Sequence, residues 1–83
     1  MNAVAEVHWD GTALSIELQH NGRRTLCRVP RQTIETMPIY GDFIDREINR
    51  HKAEIASRLM SAITRKLTVT NARTIDLQPN DLG

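Results

Sequence analysis

Two hairpin dipeptides in the first third of the chain constrain its fold more strongly than any other feature. Asp10-Gly11 and Asn21-Gly22 each interrupt a run in which apolar and polar residues alternate. Alternation with a period of two is typical of strands with one buried face, and these dipeptides are strong signals for two-residue turns. The pattern therefore predicts an antiparallel meander with strands at about 3–9, 12–20 and 23–29.

The residue pairing of this meander follows by counting outward from each turn. A two-residue first turn places Val7 opposite Leu14, and a two-residue second turn places Ile16 opposite Cys27. Because opposed residues point to the same side of a sheet, both turns predict one shared apolar face. The expected members of that face are Ala3, Ala5, Val7, Trp9, Leu14, Ile16, Leu18, Thr25, Cys27 and Val29.

The rest of the chain is expected to form helices and a last strand. Pro30 favours a short helix at about 31–37, since proline suits the first turn of a helix. Apolar residues then recur at helical spacing and predict a long helix at about 42–66, with Asp42 as its N-cap. A C-terminal strand is expected at about 74–78.

These elements predict a single domain of the α+β class over residues 1–83. One long helix packs on the apolar face of the antiparallel β-meander, which gives the domain two layers. The stretch 67–70 could add a short strand after the helix. The sequence leaves open which edge of the sheet the C-terminal strand joins.

The composition excludes several classes of protein. With 83 residues, 40% of them hydrophobic and 25% charged, the chain fits one small soluble domain and not a multi-domain enzyme. Its net charge of +1 excludes a globally basic nucleic-acid coat. No apolar run approaches the roughly 18 residues that a membrane-spanning helix needs, and Cys27 has no second cysteine to pair with. We therefore expect a cytoplasmic protein that does not enter a membrane.

The side chains that most often carry chemistry are too scattered to suggest a reaction. His8 and His20 lie at opposite ends of the predicted hairpins, about 24 Å apart at the rise of a strand, so they cannot share a metal ion. Cys27 is expected to point inward, where burial keeps a thiol protonated. His51 is expected to hydrogen-bond to Glu47, one helical turn before it, or to solvent. The sequence thus predicts a protein that is not an enzyme and has no catalytic, cofactor-binding or metal-binding residues.

The second half of the long helix carries a wider apolar stripe than the first. Ala56, Met60 and Ile63 extend the stripe sideways, which predicts a cover beyond the meander, either the C-terminal segment or a partner subunit. A chain this small buries only about 60–65% of its unfolded surface, so dimerisation would add stability. We therefore expect a non-catalytic interaction or accessory module that forms a homodimer or binds an unidentified protein partner. The contact surface would be these three residues or an exposed sheet edge.

Four arginines around the third strand support a second interpretation. They are Arg23, Arg24, Arg28 and Arg31. No acidic residue lies between them, and Arg24 and Arg28 are expected to share the outward face, where they could contact phosphates. Glu17 is expected to lie diagonally between that pair and to neutralise part of its charge. The predicted outward face also has no aromatic residue on which bases could stack. Weak nucleic-acid binding is therefore the alternative hypothesis.

Short motifs along most of the chain resemble a family of small bacterial proteins. They are Trp9-Asp10, Asn21-Gly22, Cys27-Arg28-Val29, Tyr40-Gly41, Phe43, Asn49-Arg50, Ile55-Ala56, Ile75-Asp76-Leu77 and Asp81-Leu82. That family is catalogued as an uncharacterised domain of unknown function. The resemblance implies a small α+β fold, and it supplies no established reaction, ligand or catalytic residue.

Overall fold

The three N-terminal strands form the expected meander. The computed structural model describes residues 2–70 and 72–82, the first two by their backbone alone. Its first strands are β1 (Asn2–Trp9), β2 (Ala13–His20) and β3 (Arg23–Pro30), and each pairs antiparallel with the next. Helices pack on one face of this sheet, so the predicted α+β class is confirmed.

The helical region is divided differently from the prediction. Its elements are α1 (Arg31–Glu35), α2 (Asp45–Arg50) and α3 (Lys52–Thr68). The expected single helix at 42–66 is therefore wrong. The backbone at His51, with φ −103° and ψ 15°, departs from helical geometry and separates α2 from α3.

Both ends of this helical pair also differ from the prediction. Asp42 is not the N-cap, since α2 begins after Ile44, whose backbone N–H donates to Glu47 Oε1 at 3.1 Å. At the other end α3 continues to Thr68, so the additional strand at 67–70 does not form. None of the helices in the described part of the chain is long and apolar enough to cross a membrane.

The last strand joins the sheet beside β3. This strand, β4 (Thr74–Asp76), is shorter than expected and runs parallel to β3, in the strand order β1-β2-β3-β4. Ile75 lies opposite Cys27, so it extends the buried face of the sheet. The sheet is thus mixed, because the crossover through the helices returns the chain in the parallel direction. A 3₁₀ turn at Pro79–Asp81 follows.

The two hairpins differ in how well their turn dipeptides predict the pairing. In the second hairpin the expected register is confirmed, with Ile16 opposite Cys27. In the first hairpin the expected pair of Val7 and Leu14 is wrong, because Val7 lies opposite Ile16. The first hairpin therefore has a longer connection than its Asp-Gly dipeptide suggests.

Asp10 accounts for the longer first connection. Its Oδ1 accepts hydrogen bonds from the backbone N–H groups of Thr12 at 2.8 Å and Ala13 at 2.9 Å. These hydrogen bonds to the ionised form lower the pKa of the Asp10 carboxyl to about 2. The resulting register is shifted by an even number of residues, so Val7 and Trp9 still face the core as expected.

A β-bulge interrupts β1 near its start. The pairing with β2 shifts between Val4 and Glu6, which leaves Ala5 as the extra residue. Ala5 is exposed, so its expected place on the apolar face is wrong. The side chain of Ala3, also expected on that face, lies outside what the structure describes.

The core lies between the inner face of the sheet and the helices. It contains Trp9, Leu14, Ile16, Leu18, Cys27, Val29, Ile34, Tyr40, Ile48, Ile55, Ala56, Leu59, Ala62, Ile63, Leu67, Ile75 and Leu77. One buried polar contact crosses it, because Thr33 Oγ1 donates to the backbone carbonyl of Leu77 at 2.6 Å. This hydrogen bond fixes α1 against the segment that follows β4.

Candidate functional site

The histidines and the cysteine are spread through the fold. Within residues 2–70 and 72–82, no group of three or more His, Cys, Asp or Glu side chains lies close enough to hold a metal ion. Cys27 is fully buried, and burial raises the pKa of its thiol to about 12. A thiol that stays protonated is a poor nucleophile. The ring of His51 packs against that of Phe43, with centroids 5.2 Å apart.

The predicted interface residues lie mainly inside the single chain. Ala56 and Ile63 are 1% and 0% exposed, while Met60 is half-buried against the core. By helical spacing all three lie on one flank of α3, the helix that packs against β1. The structure therefore places Ala56 and Ile63 in the core of one chain and leaves Met60 partly accessible.

The opposite flank of α3 borders an open groove. The other walls of this groove are the connector at 36–40 and the segment 79–82. Its volume of about 560 Å³ lies in the usual range for ligand sites. The groove has an apolar lining that includes Met37, Ile39, Leu59, Ala62 and Leu82. Ile39 is 56% exposed, so part of this apolar wall faces solvent.

Two arginines of α3 stand at the groove. Arg58 and Arg65 are separated by two helical turns, about 10 Å along the axis. The Arg58 guanidinium lies 6.0 Å from the centroid of the Tyr40 ring, and Arg65 Nη2 donates to the Asp81 carbonyl at 3.2 Å. Among the described residues neither arginine forms an ion pair, and no carboxylate lines the groove. The groove therefore carries two guanidinium groups without a direct ion pair in the described part of the chain, while the nearby Glu54 and Asp81 carboxylates are bonded to the Tyr40 hydroxyl and to Lys66.

Tyr40 forms a fixed wall of the groove beside Arg58. Its ring is buried and meets the Phe43 ring edge-on, with centroids 5.3 Å apart. Its hydroxyl donates to the Glu54 carboxylate. Burial, together with this hydrogen bond, raises the pKa of Tyr40 above its usual value, so the phenol keeps its proton at neutral pH.

The connector that forms one wall depends on a glycine. Gly41 donates its backbone N–H to the Met37 carbonyl at 2.9 Å, which closes a turn after α1. A Cβ atom at Gly41 would lie 2.7 Å from the Glu35 carbonyl oxygen, closer than such atoms can approach. The close approach therefore requires glycine at this position.

The C-terminal wall is held to α3 by a network around Asp81. Lys66 Nζ lies 2.8 Å from Asp81 Oδ2 and also donates to the Asp76 carbonyl at 2.6 Å. Asp81 Oδ2 accepts a further hydrogen bond from the Gln78 N–H at 2.7 Å. The hydrogen bond from Lys66, followed by that from Gln78, lowers the pKa of Asp81 below its usual value.

The structure separates the four arginines of the alternative hypothesis. Arg24 and Arg28 lie on the outer face of the sheet, and Arg24 forms an ion pair with Glu17 at 2.7 Å. Arg31 instead belongs to α1, where it pairs with Asp45 and lies 5.8 Å from the Trp9 ring centroid. The fourth, Arg23, lies beside the second turn.

The outer edge of β1 is open. In the sheet, β1 has β2 on one side and, among the described residues, no strand on the other. Glu6 and His8 are exposed on the outer face of this strand, and Val4 is 42% exposed. The edge is therefore a second accessible surface, on the side of the molecule away from β4.

Sequence reasoning missed the groove, because three segments that are distant in the chain build it. The available signals were the spacing of Arg58 and Arg65 on one helix side and the apolar Ile39 directly after Pro38. Neither signal identifies the walls without the fold. Comparison with known protein families, with curated proteins and with solved structures gives no match.

Proposed function

We propose that the protein is a non-catalytic interaction module that works as a homodimer, in which β1 of each copy joins the other edge to edge. The observation that carries this proposal is the open edge of β1, an eight-residue strand that pairs with β2 on one side. An unpaired strand of this length is a template for a further strand. The opposite edge, β4, has only three residues and offers much less backbone.

The backbone groups at this edge suit a two-fold axis at Val7. In an antiparallel ladder, successive residues direct their N–H and C=O groups alternately to the two sides. The Asp10 N–H donates to the Ala13 carbonyl at 3.3 Å, so by this alternation Val7 and Trp9 direct their groups away from β2. Two copies related by an axis at Val7 would therefore exchange hydrogen bonds reciprocally.

The side chains at the same edge complement each other in this arrangement. With Val7 on the axis, Glu6 of one copy lies opposite His8 of the other, at both ends of the paired segment. A carboxylate can accept a hydrogen bond from an imidazole, whereas a register that opposes Glu6 to itself would be repulsive. On the inner side, Val4 is 42% exposed and provides apolar surface beside the junction.

Light scattering during size-exclusion chromatography tests this proposal. We expect the wild-type protein to elute with twice the 9.4 kDa chain mass. His8→Glu places two carboxylates opposite each other at both ends of the junction and should weaken dimerisation by about tenfold or more. The double variant Glu6→Lys with His8→Glu restores opposite charges and should recover the dimer. Gln19→Glu adds the same charge at an exposed position of β2 and serves as the matched control.

A monomeric wild-type protein would overturn the proposal. A His8→Glu variant that dimerises as well as the control would also overturn the assignment to this edge. The substituted side chains are exposed, so we expect the variants to keep the fold. Circular dichroism on each variant checks this.

Nucleic-acid binding is the weaker proposal. Arg24 and Arg31 already have carboxylate partners, so half of the four-arginine set is neutralised within the chain. Nucleic-acid binding would gain support if the wild-type protein retarded a labelled oligonucleotide at low salt and the variant carrying Arg24→Ala and Arg28→Ala did not.

A further inference from the structure

We propose that the groove beside α3 binds an acidic, amphipathic peptide segment of a partner protein. Apolar side chains of the segment would contact the lining of Ile39, Leu59 and Leu82, and two of its carboxylates would pair with Arg58 and Arg65. The groove is lined by the connector at 36–40, α3 and the segment 79–82 and by no described residue of β1, so this proposal is independent of the proposed dimer.

The lining of the groove calls for apolar atoms in the ligand. Leu59 and Ala62 are buried parts of the core, and Met37 packs against it, so the floor of the groove is continuous with the hydrophobic interior. Ile39 projects into solvent at 56% exposure. Covering such a side chain removes apolar area from water, which is the main favourable contribution to peptide docking.

The charge at the groove calls for carboxylates. Arg58 and Arg65 are both exposed, and no carboxylate in the described residues pairs with either of them. Guanidinium groups bind carboxylates with two parallel hydrogen bonds, a geometry that lysine cannot reproduce. Arg58 is also held against the Tyr40 ring, so less side-chain freedom is lost when it binds an anion.

The shape of the groove favours a peptide over a small apolar acid. The two arginines are about 10 Å apart along the axis of α3, which matches acidic residues two turns apart on a helical peptide. The groove is open along one side, so a ligand in it keeps one face in water. An amphipathic peptide has a polar face for that side, whereas a lone alkyl chain would stay exposed.

Selection from a random dodecapeptide phage library on the immobilised full chain tests the proposal without assuming a sequence. The enriched peptide is then titrated by fluorescence anisotropy against the wild-type protein. Arg58→Gln with Arg65→Gln removes the two charges at the groove. Arg46→Gln with Arg50→Gln removes two charges from exposed positions on α2 and is the matched control.

We expect enriched peptides in which apolar residues are flanked by Asp or Glu. The groove variant should weaken binding by about tenfold or more, and the control by less than about twofold. Replacing the acidic residues of the peptide by their amides should give the same loss and leaves the protein unchanged, so the result does not depend on the fold of a variant. No enrichment, a basic or uncharged consensus, or equal losses in both variants would overturn the proposal.

Discussion

The two flanks of α3 have opposite environments. The flank with Ala56, Met60 and Ile63 is largely buried, whereas the flank with Arg58 and Arg65 borders the open groove. Helical periodicity predicts the first flank as a candidate contact surface. The comparison teaches that an apolar flank of a helix must be covered, and that only the complete fold decides whether the same chain covers it.

A substitution on the buried flank should have the largest effect on stability. Ile63→Ala removes a fully buried side chain beneath the sheet and should lower the free energy of unfolding by about 2–4 kcal/mol. Met60→Ala, on the same flank but half-buried, should cost only about 1 kcal/mol. Urea unfolding followed by circular dichroism measures both. An Ile63→Ala variant that is as stable as the wild type but does not dimerise would show that this flank is a contact surface and not part of the core.

A substitution at the buried contact between α1 and the segment after β4 should have an intermediate effect. Thr33→Val keeps the shape of the side chain but removes the donor to the Leu77 carbonyl, which should cost about 1–2 kcal/mol. Thr74→Val, at an exposed strand position, should change the free energy of unfolding by less than about 0.5 kcal/mol. Urea unfolding again gives the values. Equal effects at the two positions would show that the buried hydrogen bond does not stabilise the contact between α1 and the segment after β4.

Protonation of Asp81 in acid should lower the stability of the fold, by less than the substitutions at Ile63 and Thr33 do. Because the folded state lowers the pKa of Asp81, its ionised form stabilises the fold above the ordinary pKa near 3.8. That contribution is lost as the pH falls through the lowered pKa, when Asp81 becomes protonated and releases Lys66. Thermal unfolding from about pH 6 to pH 2 should show a weaker pH dependence for Asp81→Asn than for the wild type. The exposed Asp42→Asn variant is the control, and a slope changed equally by both would contradict this role.

The parts of the fold that the sequence predicted are those that local chemistry determines. Asn21 has a positive φ of 52° and Gly22 one of 79°, as the second hairpin turn requires, so counting from that dipeptide gave the correct register. In the first turn the Asp10 side chain caps two backbone donors and lengthens the connection. A turn dipeptide therefore predicts a hairpin more reliably than it predicts the register.

The parts that the sequence did not predict depend on contacts between distant segments. The parallel pairing of β4 with β3 brings Ile75 beside Cys27, and no local pattern near either residue specifies this partner. The groove likewise combines the connector after α1, the far flank of α3 and the segment 79–82. The stripe of α3 was visible in the sequence, but which of its flanks stays open follows only from this packing.

Methyl NMR spectroscopy with the enriched acidic peptide tests the contrast between the two flanks most directly. We expect the methyl resonances of Ile39, Leu59 and Leu82 to shift on titration, because these residues line the groove. The resonances of Met60 and Ile63, on the opposite flank, should stay in place. Shifts concentrated at Met60 and Ile63, with the groove resonances unchanged, would contradict the assignment of the open flank as the binding surface.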